Sequence, residues 1–589
     1  MSQIGHPAVS TTAPGASGTR SATAHTGGDS GSNVPEDDMN GRLESTTRAV
    51  TPPSQQHASG PPSQPLRWPM RPLVSRLGTA TIFGVAALAA PAAAHAAGEC
   101  DCDYVIEPGT ETADGSALGV SPGDSVCVRG GDREFLRLYD FVGTSEAWIE
   151  IRNCEGRVTI DNPDRGYGLT VDGSRYFKIS GAGDPAHEYG FYVRATRTGP
   201  DYSASGVAVG GLSSDYELDH FEVLDSGFAG FSLKTESTCD GSANLGNFVQ
   251  YDTRVHHHWI HDTGGEGIYF GSTGYGGREF QCEGQPTVLY PHEHHGVDIH
   301  HNLIEDTGWD GMQVGVSPVD CRVWANTIRD VGLEGVEYQQ QGMQIGGGSR
   351  CEIWANRLER GPTNGIFILQ AADTTVHDNL VVDFQGSGIY ANDRDDADFA
   401  GSRYVFVHNT VLRSGGWGLA IFGSQIADNL VWNNLILESG DGDLGVGAEV
   451  DWDGQGNITQ MQIAELGFVD PGAGDFHLLE ASLAGDVGVS ATEWSEQDRD
   501  GVSRDPQAPD VGAYEFTDQP PPAEPPGDGG GSDSGDGVGD GDKDGGDDNG
   551  CSCSSGARGS EGPWPRPLLG LLMLGLAASR VRRRDPAQS

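Results

Sequence analysis

V-W-A-N at 323–326, I-W-A-N at 353–356, V-H-D-N at 376–379 and V-W-N-N at 431–434 are versions of one phrase: alternating apolar residues closed by an asparagine. Each is followed by a short turn and a glycine-led alternating stretch, such as G-I-F-I at 365–368 or G-I-Y at 388–390. Asn302, Asn326, Asn356, Asn379, Asn409 and Asn434 recur at intervals of 24, 30, 23, 30 and 25 residues. Side chains that alternate with period two belong to strands. A repeat of this length has room for about three short strands and none for a helical crossover, so the chain must coil as a solenoid. Each strand then lies on its counterpart one turn later, ~4.8 Å away.

Stacking the phrases assigns columns. Val255, Ile299, Val323, Ile353, Val376, Phe406 and Val431 form one inward apolar stripe. The asparagines fall inside a sharp bend, where each amide can satisfy buried backbone and its neighbours above and below. His258 occupies that column one coil before Asn302. This arrangement resembles the pectate-lyase-like superfamily over roughly residues 103–516. The resemblance implies an all-β chain folded as a single-stranded right-handed parallel β-helix with an asparagine ladder. The stretch from D-R-D-G at 498–501 through D-V-G-A-Y-E-F at 510–516 resembles the last coil of many secreted members. That fold hosts lyases, hydrolases, epimerases and adhesins, so activity has to be read from a site.

Composition divides the rest of the 589-residue chain. Residues 1–69 are rich in Ser, Thr, Gly and Pro and read as a disordered leader, or as sequence ahead of a true start at Met70. Residues 70–96 read as a secretory signal: Arg71 and Arg76, an apolar run, then the small-residue cleavage site A-H-A at 94–96. Residues 97–516 form the β-helix, and 517–550 a self-repelling acidic linker rich in Gly, Asp and Pro. In 551–589, C-S-C at 551–553 precedes a short apolar run and an arginine cluster. This pattern resembles the C-terminal sorting signals of myxobacterial surface proteins. It implies display on the outer surface of a Gram-negative cell through a processed C-terminus, with Cys551 or Cys553 as the attachment point. The net charge of −49 disfavours nucleic acid as a partner, and a monomer is expected.

Export permits disulfides among the ten cysteines. Cys321 and Cys351 share a column in successive coils, as a disulfide or as a buried thiol pair. Cys239 and Cys282 lie in insertions of adjacent coils and can pin them together.

Insertions at 235–248, 272–294 and 393–403 follow glycine-led strands and can wall a groove over that sheet. Alternation turns Lys234, Tyr269, Gln313, Gln344, Phe367 and Tyr390 outward, a mixture of aromatic faces and amides suited to sugar or to ordinary strand decoration. Glu266 and Asp310 precede glycine-led strands in adjacent coils. Two carboxylates so close raise one pKa or hold a cation; they also suit tight turns. His292, in the run Y-P-H-E-H-H at 290–295, can act as acid, base or ligand, and Arg278 can neutralise a uronate. Asp262, Asp306 and Asp330 form a turn column open to Ca²⁺ or to solvent. His256, His300, Trp324, Trp354, His377 and Trp432 form a further outward stripe, for binding or for cross-strand stacking.

K-T at 234–235, G-G-E-G-I-Y at 264–269, P-H-E at 291–293 and T-G-W-D-G-M-Q-V-G at 307–315 are together similar to a recurring bacterial family of secreted β-helix proteins. The expectation is a surface-displayed protein that cleaves extracellular polysaccharide as a lyase or hydrolase. Glu266, Asp310, His292 and Lys234 are its candidate catalytic set. Tyr269, Gln313, Gln344, Phe367, Tyr390 and Arg278 are its candidate sugar contacts. A non-catalytic adhesin or glycan-binding solenoid is the alternative.

Overall fold

The computed structural model describes residues 100–198, 203–369, 373–393, 403–423 and 425–518. The leader, the secretory signal, the acidic linker beyond residue 518 and the Cys551/Cys553 segment lie outside them. So does most of the third insertion. Within the described residues the chain is a parallel β-helix. One 12-stranded sheet receives the glycine-led strands, among them Phe231–Leu233, Ile268–Phe270, Met312–Val314, Met343–Ile345, Ile366–Leu369 and Ile389–Asn392. A 22-stranded sheet receives strands from either side of the asparagine corner, such as Val249–His256 and Trp259–Thr263, then Glu293–His300 and Leu303–Thr307. The expected core column is continuous: Val255, Ile299, Val323, Ile353, Val376, Phe406 and Val431 pair in parallel register and are fully buried.

The asparagine column is a hydrogen-bonded ladder. The Asn326 Oδ1 accepts from the backbone N–H and the Nδ2 of Asn302, and its own Nδ2 donates to Ile299 O and to Asn356 Oδ1. The same pattern repeats through Asn356, Asn379, Asn409 and Asn434 and continues to Asn457. His258 begins the column with imidazole chemistry. Its Nδ1 accepts from Phe221 N–H, and its Nε2 donates to Leu218 O. Burial holds this ring far below the ordinary histidine range, so it stays neutral.

The glycines that lead the third strand of each coil answer to close approach. A Cβ on Gly267 would lie 2.4 Å from Ile304 Cγ2 and 2.6 Å from Gly311 O. The outward stripe is stacked: His256, His300, Trp324, Trp354 and His377 follow one another at ring separations of 4.7, 4.4, 5.4 and 5.9 Å with nearly parallel planes. Four disulfides close the described chain: Cys100–Cys154, Cys102–Cys127, Cys239–Cys282 and Cys321–Cys351.

The C-terminal stretch departs from the expected last coil. Residues beyond 460 fold back over the outside of the late coils. There Leu380, Val382, Leu412, Leu435 and Leu437 face away from the core and form a second apolar cluster with Leu466, Phe476, Val511 and Tyr514. Buried Arg504 clamps this cover. It donates to Asp378 Oδ1 at 2.5 Å and to Gly512 O at 2.8 Å, while Asp378 also accepts from Ser495 Oγ and His377 Nδ1. The sequence pattern showed one face of those strands as inward. Their opposite face is apolar as well, and it needs a lid.

Asn356→Ala would remove the side-chain partner of Asn326 N–H and of Val323 O in the interior and one of the two donors to Asn379 Oδ1. A loss of ~3–5 kcal/mol is expected in urea unfolding. Asn457→Ala, at the half-buried end of the ladder, should cost only ~1 kcal/mol; equal losses at both positions would contradict a cooperative ladder.

Candidate functional site

The first two insertions occupy one side of adjacent coils and are fastened together. Cys239 is bonded to Cys282 with a Cα separation of 5.4 Å, and Leu245 N–H donates to Tyr290 O. The second insertion contains an antiparallel hairpin, Arg278–Cys282 with Gln285–Leu289. Ahead of it, the Tyr275 ring lies against Gly348, where a Cβ would come within 2.2 Å of the ring. The insertion therefore leans over the glycine-led sheet toward later coils.

Glu266 and Asp310 stand side by side, as their column implied: Gly267 N–H donates to Asp310 O. Both are interior, at 2% and 0% exposure. Asp310 is committed to the fold. Its Oδ1 accepts Gln341 N–H at 2.6 Å, and its Oδ2 accepts Gln313 Nε2 at 2.7 Å. Glu266 has a buried Oε2 with no hydrogen-bond partner. Burial, then the neighbouring Asp310, pushes Glu266 up to about 8; burial raises Asp310 as well, against the pull of its two donors. The proton of the pair is favoured on Glu266, because both oxygens of Asp310 accept hydrogen bonds while Glu266 Oε2 accepts none.

His292 is equally committed. Its Nε2 accepts from Thr235 N–H, its Nδ1 donates to Glu293 O, and its ring packs between Phe248 and His294. It joins the two insertions as a neutral side chain, held below the ordinary histidine range by burial.

The register corrects one column. Ser232, not Lys234, pairs with Tyr269, Gln313, Gln344, Phe367 and Tyr390. Alternation fixes the side a residue faces but leaves a two-residue slip undetected. Lys234 lies two positions further on and turns back, placing its Nζ 3.9 Å from the Tyr269 ring centroid and 2.8 Å from Glu236 Oε1. Gln313 and Gln344 face outward yet are buried, at 2% and 9%. Gln313 spends its amide on Asp310 and Gln339. Phe367 and Tyr390 remain half-buried and continue to Phe422 in a row spaced 5.6 Å per step.

What remains is a cluster around Tyr269, itself only 8% exposed, which reaches solvent through Thr273 and Glu236. The phenol oxygen lies 3.4 Å from Thr273 Oγ1, which accepts from Arg278 Nη2 at 2.7 Å. Burial pushes the phenol up, but the Lys234 and Arg278 cations outweigh it and hold it below the usual tyrosine range. Burial works against the Lys234 charge, yet Tyr269 and Glu236 keep it above its ordinary value. Glu236, whose side chain is 58% exposed, is held ionised by Lys234 and Arg278 against its own desolvation. Glu236 and Thr273 escape a reading by columns because both belong to insertions. The available signal was charge alternation, K-T-E at 234–236.

The Asp262, Asp306 and Asp330 column has a backbone cause. Each adopts a left-handed φ of 52–55°, which aspartate tolerates better than most residues. Asp262 accepts from His261 Nδ1, and Asp330 takes both arms of Arg360. Asp262 and Asp306 line a shallow cleft of about 470 Å³ with Arg194, Asp225 and Glu334.

The family described as "Right handed beta helix region" matches residues 288–460, which gives the coil its hand: the fold is a right-handed parallel β-helix. No curated protein sequence matches. Among solved structures, the chain is similar to a GH136 lacto-N-biosidase from Eubacterium ramulus, at 13% identity and TM-score 0.37, over 61% of this chain and 67% of that one. It is similar to pectate lyase Pel9A at 12% identity and TM-score 0.36, over 71% and 97%. A periplasmic alginate epimerase, AlgG, follows at 13% identity and TM-score 0.33, over 61% and 85%.

Glu266 keeps its proton in the native fold but loses it in the unfolded chain above the ordinary glutamate value of 4.5. The native state then binds more protons, so this residue makes stability fall as pH rises from that value to about 8. Glu266→Gln should give a shallower fall in urea-unfolding midpoint across that window and no change below it. Superimposable pH profiles would contradict a buried, protonated Glu266.

Proposed function

We propose that this chain is a secreted, surface-displayed enzyme that cleaves an acidic polysaccharide by β-elimination, with Tyr269 as the base. The observation that carries the reading is the Tyr269 phenol under the joint influence of Lys234 and Arg278 at the meeting of two disulfide-linked insertions. A uronate needs its carboxylate charge neutralised before the adjacent C5–H can be removed. Lys234 and Arg278 supply that charge, and the phenolate supplies a base whose pKa is lowered toward working pH. The C5 proton passes to the phenolate oxygen. The C–H electron pair becomes the C4=C5 double bond, the C4–O bond breaks, and the phenol returns its proton to the leaving oxygen.

Hydrolysis is less well supported. It requires two carboxyl groups flanking the scissile bond, whereas Asp310 is wholly buried with both oxygens engaged by Gln341 and Gln313. Glu266 and His292 then support the site from beneath, and Phe367, Tyr390 and Phe422 offer a stacking surface along the same sheet. That aromatic row alone favours the second reading, a surface solenoid that holds glycan without cutting it.

A panel of uronate-containing polysaccharides, read by the ultraviolet absorbance of the unsaturated product, separates the two. Tyr269→Phe should lower kcat/KM by at least about a hundredfold. In the wild type, kcat/KM should rise with pH through an inflection below the ordinary tyrosine value of 10, and Lys234→Met should move that inflection upward. Binding without any unsaturated product would favour the adhesin; a Tyr269→Phe variant of full activity would remove the base.

A further inference from the structure

A second cluster lies on the other sheet, at the asparagine corner of two adjacent coils. The strands Val249–His256 and Glu293–His300 end in register, His256 on His300. The next residues, His257 and His301, hold left-handed backbone at φ 56° and 53°. That turn brings each pair of rings together. The Nδ1 of His256 is 2.8 Å from the Nδ1 of His257, and the Nδ1 of His300 is 2.9 Å from the Nδ1 of His301. Equivalent rings stack from coil to coil, at 4.7 Å and 8° for His256 on His300 and at 5.0 Å and 1° for His257 on His301. At two other corners the imidazole meets a carboxylate: His220 Nδ1 lies against Asp219 Oδ1, and His377 Nδ1 against Asp378 Oδ2, each at 2.6 Å. In the two middle coils imidazole nitrogens face each other instead.

Two nitrogens at this separation share a proton or a cation. A metal with ~2.0 Å bonds to imidazole holds neighbouring nitrogens ~2.8 Å apart in a tetragonal site and ~3.3 Å apart in a tetrahedral one. We propose that the His256–His257 pair and the His300–His301 pair, stacked one coil apart, are each a two-nitrogen chelating site for a divalent ion of the copper or nickel class, with adjacent Nδ1 ligands. The Nε2 of His256 lies 3.4 Å from Glu217 Oε1, so the proton of that ring is directed to Glu217 and the lone pair to Nδ1. Burial first, then the adjoining imidazoles, push His257 to about 4 and His300 to about 3, and lower His301 as well. The corner is open to solvent, with His257 exposed and the other three half-buried. The nearby trio of Glu217, Asp219 and His256 is a poorer site, because the Lys178 ammonium already bridges the two carboxylates at 2.5 and 2.7 Å.

The test is titration of the metal-free full chain with CuSO₄, followed by electron paramagnetic resonance and thermal unfolding. The wild type should give a tetragonal copper spectrum with nitrogen coupling, and copper should raise Tm. The double variant His257→Asn/His301→Asn should weaken binding at least about tenfold and abolish the Tm shift. Asparagine is compatible with the fold there, since Asn433 holds the equivalent corner at φ 54°. His187→Gln should change neither readout. A wild-type spectrum of hydrated copper alone, or a double variant that binds as tightly as the wild type, would overturn the site.

Discussion

The hydrogen bond from one corner amide to the next is the interaction on which the rest of this molecule depends. Every coil must turn sharply between two strands, and the turn buries backbone N–H and C=O groups that no strand can reach. Asparagine solves this locally, because one side chain both accepts from a backbone N–H and donates to a carbonyl and to the next amide. Repetition from Asn302 to Asn457 then fixes register. A slip would break several buried bonds together with the apolar column that lies three residues earlier in each coil.

Fixed register gives the insertions a common origin. Two of them leave adjacent coils after equivalent glycine-led strands, so they emerge side by side and can be joined by Cys239–Cys282. Function on such a scaffold collects where regularity stops. The carboxylates of the regular columns, Glu266 and Asp310, are drawn inward, Asp310 bonded to Gln313 and Gln341 and Glu266 left with an unpartnered Oε2. The insertions and the strand end bring Lys234, Glu236, Thr273 and Arg278 to the face of Tyr269.

Much of this was legible in the sequence for a simple reason. The solenoid is nearly one-dimensional, so spacing along the chain translates into position in space. The core stripe, the ladder, the Glu266–Asp310 adjacency and the stacking of Cys321 on Cys351 follow from counting; that the latter pair is a disulfide does not. Counting fails in three ways. It cannot detect a slip of two residues, which put Lys234 in the place of Ser232. It gives the direction of a side chain but not what covers it, which is why Gln313 and Gln344 face outward yet are buried. It is also blind to residues without a counterpart, such as Glu236 in its insertion and Arg504 in the segment that caps the outer leucines.

Amide hydrogen exchange on the intact chain, followed by mass spectrometry, tests most directly whether the corner ladder holds the molecule together. Peptides spanning the corners at Asn302, Asn326, Asn356, Asn379 and Asn409 should exchange last and together, only through global unfolding, while the insertion between Ser272 and Tyr290 exchanges by local opening. Corner peptides that exchange as fast as that insertion, or independently of one another, would contradict a ladder that sets the register of every coil.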